Sequence, residues 1–176
     1  MKAIKLESDR LFFEPLGLKH LSSKYVSWMN DEEVNRYLES GGNYTLDLLE
    51  IFLSEQEKKD ILFWAIHLKS NQKHIGNIKI DPIDLLNNSG EYGILIGDKV
   101  EWNKGYAKEA SLEVIEYCFN VLKLSKITLG VIEGNTDAVK LYEKIGFSIA
   151  SISKVYGIYG GVKGNAIRMI KENENA

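Results

Sequence analysis

The stretch GEYGILIGDKVEWNKGYAKEASLEVIEYCFN, residues Gly90–Asn120, decides the fold of this chain. Within it, Tyr92–Ile96 is an apolar run with the length and composition of a buried strand, and Gly97 and Asp98 break that run. A helical pattern of apolar residues begins just after Gly105. The stretch therefore predicts a strand, a glycine-containing turn and a long helix.

The junction between this turn and the helix is a predicted anion site. The first backbone N–H groups of a helix have no internal partner and lie at the positive end of the helix dipole. Gly105 admits an anion close to the backbone, and Lys104 and Lys108 add positive charge. We predict that a phosphate or pyrophosphate binds a cradle made of Asn103, Lys104, Gly105, Tyr106, Ala107 and Lys108.

A glycine in a strand-to-helix turn also has a purely steric explanation, so the turn alone does not identify a ligand. The chain contains neither a G-x-x-x-x-G-K-[ST] loop nor a G-x-G-x-x-G fingerprint. The sequence therefore excludes these two nucleotide-binding motifs and leaves the anion itself open.

Length and composition predict one globular domain. The chain has 176 residues, of which 44% are apolar and 27% are charged, and its formal net charge is −3. We expect a single domain over residues 1–176 with a polar tail at 171–176. The mildly acidic balance argues against a nucleic-acid partner, because binders of the phosphate backbone usually carry a basic excess. No signal peptide is visible and no apolar run approaches the ~20 residues of a membrane span, so no membrane contact is expected.

The cysteine and histidine content predicts a cytoplasmic protein without a metal. Cys118 is the lone cysteine and lies among apolar neighbours on a predicted helix, so we expect a buried, inert thiol. Such cysteine usage fits a cytoplasmic location. The three histidines, His20, His67 and His74, do not have the spacing of zinc ligands, so we predict no metal site.

Two segments resemble the GNAT family of N-acetyltransferases. The stretch WNKGYAKEA is similar to the family's acyl-CoA loop, whose pattern is Q/R-x-x-G-x-G/A, with Trp102 where Gln or Arg is usual. That departure resembles the ribosomal-protein alanine acetyltransferase-like, or RimJ/RimL-like, branch. The segment EGNTDAVKLYEKIGF matches the family's x-x-N-x-x-A-x-x-L-Y-E-K-x-G-F at every named position and is the most specific signal in the chain. Looser matches are the opening strand, the segment WMNDEEVNRYLE, and Ile75-Gly76-Asn77-Ile78, whose glycine allows close strand packing.

Apolar periodicity and turn residues predict the remaining elements. Strands are expected at Leu6–Leu16, Ile61–Lys69, His74–Ile80, Lys126–Ile132, Ile152–Ile158 and Gly164–Ile170. Helices are expected at Lys19–Leu38, interrupted near Asn30-Asp31, at Thr45–Lys59 and at Thr136–Ile145. Turns or connections are expected at Gly41–Asn43, Asp81–Asn88 and Gly160-Gly161. This order predicts an α/β or α+β fold with a mixed, mostly antiparallel central sheet flanked by helices.

The resemblance adds a V-shaped splay between the two central strands, Glu91–Ile96 and Lys126–Ile132. It implies that acetyl-CoA is the co-substrate, with its pyrophosphate on the cradle. Its pantetheine is expected to pair, as an added strand would, with the backbone of Ile94, Leu95 and Ile96. The oxyanion of the reaction is expected to accept a hydrogen bond from a backbone N–H near Leu95 or Ile96.

The resemblance also implies two catalytic residues. Tyr142 aligns with the tyrosine that acts as general acid toward the thioester sulfur, and its alternative role is that of a half-buried core aromatic. Glu91 occupies the position of a glutamate proposed as base, acting directly or through water, and its alternative is an exposed carboxylate at a strand edge. Asn135 is expected to bond the cofactor amide, to cap the following helix, or both.

The acceptor is expected near Trp28, Asn30 and Tyr37, with packing as the alternative, above all for Trp28. The resemblance implies direct attack by a primary amine, from a protein N-terminus or a small molecule, in a ternary complex without a covalent enzyme intermediate. Two alternatives stay open, namely acetylation of a nucleotide-linked amino sugar and a non-catalytic acyl-CoA-binding sensor or interaction module. The edges of the terminal hairpin are compatible with a homodimer.

Overall fold

The computed structural model describes residues 1–38, 42–159 and 162–174. Its strands are β1 Leu6–Glu7, β2 Leu11–Pro15, β3 Leu62–Leu68, β4 His74–Asp84, β5 Ser89–Ile96, β6 Lys126–Ile132, β7 Ser148–Tyr159 and β8 Val162–Glu172. Its α-helices are α1 Ser23–Asn30, α2 Glu32–Asn35, α3 Leu46–Lys58, α4 Tyr106–Asn120 and α5 Thr136–Lys144. Short 3₁₀ turns lie at Leu18–His20 and Lys99–Glu101.

The strands form one open sheet in the order β1-β2-β3-β4-β5-β6-β8-β7. β5 and β6 pair in parallel, and the other neighbouring strands pair antiparallel. The predicted mixed, mostly antiparallel sheet with flanking helices is therefore confirmed. Of the helices described, none combines the length and the apolar character needed to cross a bilayer.

The predicted splay lies between β5 and β6. These strands pair only near their beginnings, and the last partners are Glu91 and Thr128. Beyond that point Tyr92–Ile96 continues along β4, whereas Leu129–Ile132 continues along β8. The V-shaped splay is confirmed, and it leaves one backbone edge of each strand facing a gap.

Two hydrophobic clusters cover the two faces of the sheet. The larger cluster packs α4, through Val114 and other residues, against Trp64. The smaller cluster packs α1 and α3, through Trp28 and Leu53, against Ala65. Because successive residues of a strand point to opposite faces, the neighbours Trp64 and Ala65 of β3 belong to different clusters.

Cys118 lies in the larger cluster and is completely buried. Burial raises the pKa of its thiol to about 12, so the thiolate is not populated at neutral pH. The predicted buried, inert thiol is confirmed.

Local signals placed several helix ends correctly. Thr45 caps α3, because its Oγ1 accepts a hydrogen bond from the Leu48 N–H at 3.2 Å. Asp31 caps α2 and interrupts the helical stretch where the sequence predicted a break, accepting from the N–H groups of Glu33 and Val34. The terminal hairpin of β7 and β8 is confirmed, although its expected turn at residues 160 and 161 lies outside the described residues. Residue 41 of the expected Gly41–Asn43 turn lies outside them as well.

Three predicted boundaries were wrong because strand pairing overrides local signals. The expected single strand Leu6–Leu16 is a hairpin in which β1 folds back on β2 and Leu6 lies opposite Phe13. The expected connection at Asp81–Asn88 contains the end of β4, which continues past an irregularity at Pro82 to pair with Gly90 and Ser89 of β5. The expected polar tail begins later than residue 171, because β8 runs to Glu172 along β6.

Candidate active site

One large cleft occupies the gap between β5 and β6. The cleft has a volume of about 1680 Å³ and extends beyond this gap along β3 and β4 to α1 and α3, and on the other side to β7 and β8. Its walls at the gap come from β5, β6, the turn before α4 and the first turns of α4 and α5. Pockets for one small molecule usually measure about 300–1,000 Å³. The cleft as a whole is therefore larger than a site for one small molecule.

The predicted anion cradle forms one end of this cleft. Gly105 precedes α4 with a φ of +81°, and Asn103 also has a positive φ of +61°. The first intrahelical bond runs from the Glu109 N–H to the Gly105 carbonyl. The N–H groups of the three residues before Glu109 therefore have no helical acceptor, and these residues line the cleft with Asn103 and Gly105.

The two predicted cradle lysines occupy different environments. Lys104 Nζ lies 2.8 Å from Glu101 Oε2, and Lys104 is not part of the cleft wall. Lys108 lines the cleft, and its ammonium makes no ion pair within residues 1–38, 42–159 and 162–174. Of the two predicted lysines, Lys108 is therefore the one whose ammonium the structure offers to an anion in the cradle.

Arg10 supports the cradle from the turn between β1 and β2, a contact that sequence reasoning missed. Its Nε donates to Glu109 Oε2 at 2.7 Å, and its Nη1 donates to the Lys104 carbonyl at 3.0 Å. Its guanidinium carbon lies 4.6 Å from the centre of the Tyr106 ring. Arg10 thus ties the turn before α4 to the first turn of that helix.

The edge of β5 presents alternate backbone groups to the cleft. Leu95 lies opposite Asn77 on β4, and the Gly97 N–H donates to the Ile75 carbonyl at 2.9 Å. Because backbone groups alternate along a strand, those of Ile94 and Ile96 point toward the splay. Within the predicted set Ile94–Ile96, the backbone N–H and C=O of Leu95 therefore point to β4 and not to the cleft.

Trp102 adds a contact at the end of this edge. Its Nε1–H donates to the Ile96 carbonyl at 2.7 Å, so the residue that replaces the usual Gln or Arg bonds the strand to the turn. Gly76 allows β4 to approach here, because a β-carbon on Gly76 would lie 2.2 Å from the Leu95 carbonyl oxygen.

Tyr142 lies on α5 with its ring toward the cleft. The residue is 8% exposed and packs edge-to-face against Tyr92, with ring centres 5.7 Å apart. Burial raises the pKa of its phenol to about 12. Its hydroxyl donates to no described residue, and the phenol stays protonated at neutral pH.

Tyr92 joins Tyr142 indirectly to the start of α4. The Tyr92 hydroxyl lies 2.6 Å from Ser111 Oγ, and Ser111 donates in turn to the Ala107 carbonyl at 2.6 Å. Complete burial raises the pKa of Tyr92 far above its usual value, so it remains a neutral hydrogen-bond donor. This chain connects the cleft wall to the cradle helix.

Glu91 lies at the vertex of the splay, but it is not an isolated carboxylate. One carboxylate oxygen accepts from Arg168 of β8 in an ion pair, and the other accepts from Thr128 Oγ1 at 2.7 Å. Glu91 and Arg168 both line the cleft. Sequence reasoning missed these partners because they lie 37 and 77 residues away along the chain.

Of the three residues expected near the acceptor, one lines the cleft and two lie behind its wall. Trp28 is 5% exposed and packs on Gly97, where a β-carbon would lie 2.3 Å from its ring, and it does not line the cleft. Asn30 exchanges two hydrogen bonds with the backbone of Tyr44, at 2.9 and 2.7 Å, and also lies outside the cleft wall. Tyr37 lines the cleft, and its hydroxyl donates to the Gly134 carbonyl at 2.9 Å.

Asn135 lines the cleft as the residue before α5. Its side chain makes no capping hydrogen bond with that helix. Of the two roles expected from the sequence, capping by the side chain is therefore not observed. Asn135 shares the cleft wall with Tyr142 and Tyr37.

The three histidines lie together outside the cleft wall, although they are far apart in the sequence. One is on β3, one on β4 and one in the turn Leu18–His20. The ring centres of His20, His67 and His74 lie 5.0–5.3 Å from one another. Spacing along the chain was therefore a poor basis for excluding a metal site.

Three comparisons place this geometry among known proteins. The profile of the family described as Acetyltransferase (GNAT) domain matches residues 10–148. The uncharacterized N-acetyltransferase YoaA of Bacillus subtilis (strain 168) is 25% identical over 159 residues, which cover 89% of each chain. The structure of ribosomal-protein-S5-alanine acetyltransferase from Vibrio fischeri matches with a TM-score of 0.82 at 18% identity, covering 98% of both chains. That of spermidine N-acetyltransferase from Vibrio cholerae, in complex with CoA and spermine, matches with a TM-score of 0.82 at 23% identity, over 94% of this chain and 97% of the other.

Proposed function

This chain belongs to the GNAT acetyltransferase family and is an acetyl-CoA-dependent N-acetyltransferase, and we propose that it acetylates a primary amine by direct attack in a ternary complex. The observation that carries the proposal is the single cleft in which Gly105, Tyr142 and the open edge of β5 meet. The matched family and the resemblance to the RimJ/RimL-like branch support it.

The cofactor would lie along β5, from the vertex of the splay to the cradle. Pantetheine would pair with the splay-facing backbone groups of Ile94 and with the Ile96 N–H, since the Ile96 carbonyl already accepts from Trp102. The pyrophosphate would accept hydrogen bonds from the N–H groups of Tyr106, Ala107 and Lys108, with the Lys108 ammonium nearby. Asn103, Gly105 and Asn135 would complete the cofactor site.

Acyl transfer needs a stabilised oxyanion and a proton for the departing thiolate. The oxyanion would accept from a backbone N–H of β5 that faces the splay, and the Leu95 N–H, which points to β4, does not meet this condition. Tyr142 would supply the proton, because its phenol lines the cleft and stays protonated at neutral pH. The buried Tyr92 ring would hold Tyr142 in place.

The attacking amine must lose a proton to a base. Both oxygens of Glu91 already accept one hydrogen bond, but a carboxylate has about four acceptor sites, so a water molecule can bind as well. We propose that Glu91 acts through such a water and that Arg168 fixes its orientation. Direct proton transfer to Glu91 would place the amine nitrogen at the same free acceptor site and leave the ion pair with Arg168 in place.

The acceptor is proposed to be a small-molecule amine or a peptide N-terminus that enters past Tyr37. The other expected acceptor residues, Trp28 and Asn30, would shape this entrance from behind the cleft wall. Acetylation of a nucleotide-linked amino sugar and binding of acyl-CoA without turnover are the competing outcomes of the test. The net charge of −3 supports a protein that works without nucleic acid, and a cytoplasmic location stays a prediction.

A homodimer is proposed from the outer strand of the sheet. β7 lies at one end of the strand order and exposes Ile149 and Ile152, which are 47% and 56% exposed. An exposed strand edge with apolar side chains favours pairing with a second copy. Light scattering during size exclusion would measure the mass, and a monomer at micromolar concentration would contradict the proposal.

The experiment that tests the function combines binding and turnover. Calorimetry of the purified protein with acetyl-CoA, using ATP and NAD as controls, should give saturable binding to acetyl-CoA alone. A free-thiol release assay with peptides, amino-sugar nucleotides and polyamines should then give release with one class of amine. Binding without release from any amine would support the sensor, and failure to bind acetyl-CoA would overturn the proposal.

A further inference from the structure

All three histidines of the chain meet in one cluster outside the cleft. His20 ends the 3₁₀ turn Leu18–His20, His67 lies on β3 and His74 begins β4. Their ring centres form a triangle with sides of 5.3, 5.2 and 5.0 Å. None of them has a part in the proposed acetyl transfer.

Two nitrogens of this cluster lack partners. His20 Nε2 and His67 Nδ1 are buried and have no hydrogen-bond partner in the part of the chain that the structure describes. The two residues are only 5% and 7% exposed. Buried polar atoms in native proteins nearly always have a partner, so two orphan nitrogens in one histidine cluster indicate a ligand.

The backbone of Gly17 holds Nδ1 of His20, the ring nitrogen that has partners. This atom lies 3.1 Å from the Gly17 nitrogen, whose N–H can donate to it, and 3.1 Å from the Gly17 carbonyl oxygen, to which a protonated Nδ1 can donate. A metal on Nε2 would select the tautomer in which Nδ1 carries the proton and donates it to this carbonyl. Histidines that bind metals commonly donate their second nitrogen to a backbone carbonyl in this way.

Glu14 completes a set of three ligands. One carboxylate oxygen of Glu14 and one nitrogen from each of His20 and His67 all lie within 4.8 Å of one another. Two imidazoles on a tetrahedral Zn²⁺, with Zn–N bonds of about 2.0–2.1 Å, place their ring centres about 5 Å apart. The observed separation of His20 and His67 is 5.3 Å, but the two rings are stacked with an angle of 28° between their planes, so the side chains would have to rotate to aim their lone pairs at one ion.

We propose that Glu14, His20 and His67 form a binding site for a divalent transition-metal ion of the zinc type, with water as the fourth ligand. Two imidazoles and one carboxylate are a ligand set that Zn²⁺ accepts. The ion would join β2 and β3 to the turn Leu18–His20. It would hold this turn against the sheet without touching the reacting groups.

Two lysines form ion pairs with the Glu14 carboxylate, and a bound metal would have to displace their ammonium groups. Lys19 Nζ lies 2.6 Å from one carboxylate oxygen, and Lys5 Nζ lies 3.3 Å from the other. Both lysine side chains are exposed, at 52% and 77%. Exposed ion pairs of this kind contribute little, so the ammonium groups can turn to solvent when the metal binds.

His74 supplies a matched control within the same cluster. Its Nε2 lies 3.0 Å from the Gly76 carbonyl and 3.0 Å from Asn77 Oδ1, so this nitrogen already serves as a donor. His74 is outside the group of three residues whose ligand atoms all lie within 4.8 Å of one another, although its ring lies next to those of His20 and His67.

Calorimetric titration of chelator-treated protein with ZnCl₂ tests the site. Wild type and His74→Gln should bind one Zn²⁺ per chain, whereas His20→Gln and His67→Gln should each lose at least about tenfold in affinity. Because the chain has no other histidine and Cys118 is buried, unchanged binding in both ligand variants would overturn the site. A loss in His74→Gln as large as in His67→Gln would overturn the ligand set.

A second measurement keeps the test valid if a variant fails to fold. Co²⁺ bound to wild type should give the strong visible absorption of a four-coordinate ion and should be displaced by one equivalent of Zn²⁺. The same Zn²⁺ should raise the melting temperature, because it binds the folded chain preferentially. A weak, six-coordinate Co²⁺ spectrum or an unchanged melting temperature at saturation would contradict the proposal.

Discussion

Gly105→Val tests the anion cradle at its most constrained position. Gly105 has a φ of +81°, a left-handed conformation that costs an L-residue about 1–2 kcal/mol. A β-carbon there would meet only Arg10 Nη2, at the ordinary contact distance of 3.5 Å. The strain should lower the melting temperature by roughly 2–8 °C for a domain of this size, and the variant should fold.

The loss of cofactor affinity should exceed this loss of stability. The valine methyl groups would occupy space beside the N–H groups of Tyr106, Ala107 and Lys108, where the pyrophosphate is proposed to bind. A hydrogen bond to a charged group is worth about 1.5–3 kcal/mol. Losing one such bond should weaken acetyl-CoA binding roughly 10- to 100-fold.

Calorimetry with two ligands and one matched variant separates the two effects. Gly42 has a φ of +83°, has no atom within 4 Å of a built β-carbon and lies outside the cleft wall. Gly42→Val should therefore lose stability and keep its affinity for acetyl-CoA. S-acetylpantetheine, which lacks the pyrophosphate, should bind wild type and Gly105→Val alike. Equal affinity of Gly105→Val and Gly42→Val for acetyl-CoA would refute the cradle.

Three further predictions concern the cleft. Tyr142→Phe should lower kcat by roughly 10- to 1000-fold with nearly unchanged acetyl-CoA affinity, and unchanged kcat in steady-state assays would remove Tyr142 from the reaction. Since burial raises the pKa of Tyr142 to about 12 and the protonated phenol is the active form, its contribution should persist to about pH 10 and be lost only above that. A fall in kcat between pH 8 and 10 that disappears in Tyr142→Phe would contradict this. Lys108→Gln should weaken the binding of acetyl-CoA several-fold in calorimetry. Lys104→Gln should leave this affinity unchanged, because the Lys104 ammonium is paired with Glu101. Equal losses of affinity in the two variants would contradict the role given to Lys108.

The parts of the fold that the sequence predicts well depend on neighbours in the chain. The start of α4 after Gly105, the Thr45 cap and the break at Asp31 each follow from residues within one helical turn. The order of strands and helices follows from apolar periodicity in the same way. The splay between β5 and β6 had no such signal and came only from the family resemblance.

The contacts that sequence reasoning missed join residues far apart in the chain. Glu91 and Arg168 are 77 residues apart, and Arg10 and Glu109 are 99 apart. Such pairs depend on strand order and register, which no local pattern encodes. The prediction of a connection at Asp81–Asn88 failed for a related reason. A proline usually ends a strand, but Pro82 lies at an irregularity where β4 loses its regular pairing with β5 and then resumes it.

The structure of the cradle also explains how Trp102 can stand where the family pattern has Gln or Arg. Its indole N–H bonds the turn to the Ile96 carbonyl, Arg10 bonds the same turn through the Lys104 carbonyl, and Glu101 holds the Lys104 ammonium. These bonds form when the chain folds, before any cofactor arrives. A turn that is already ordered loses little conformational freedom on binding, so the free energy of pyrophosphate binding is not spent on ordering it. A Trp that donates to the strand can therefore support the cradle without contacting the phosphate, so a Gln or Arg side chain is not needed at this position for that purpose.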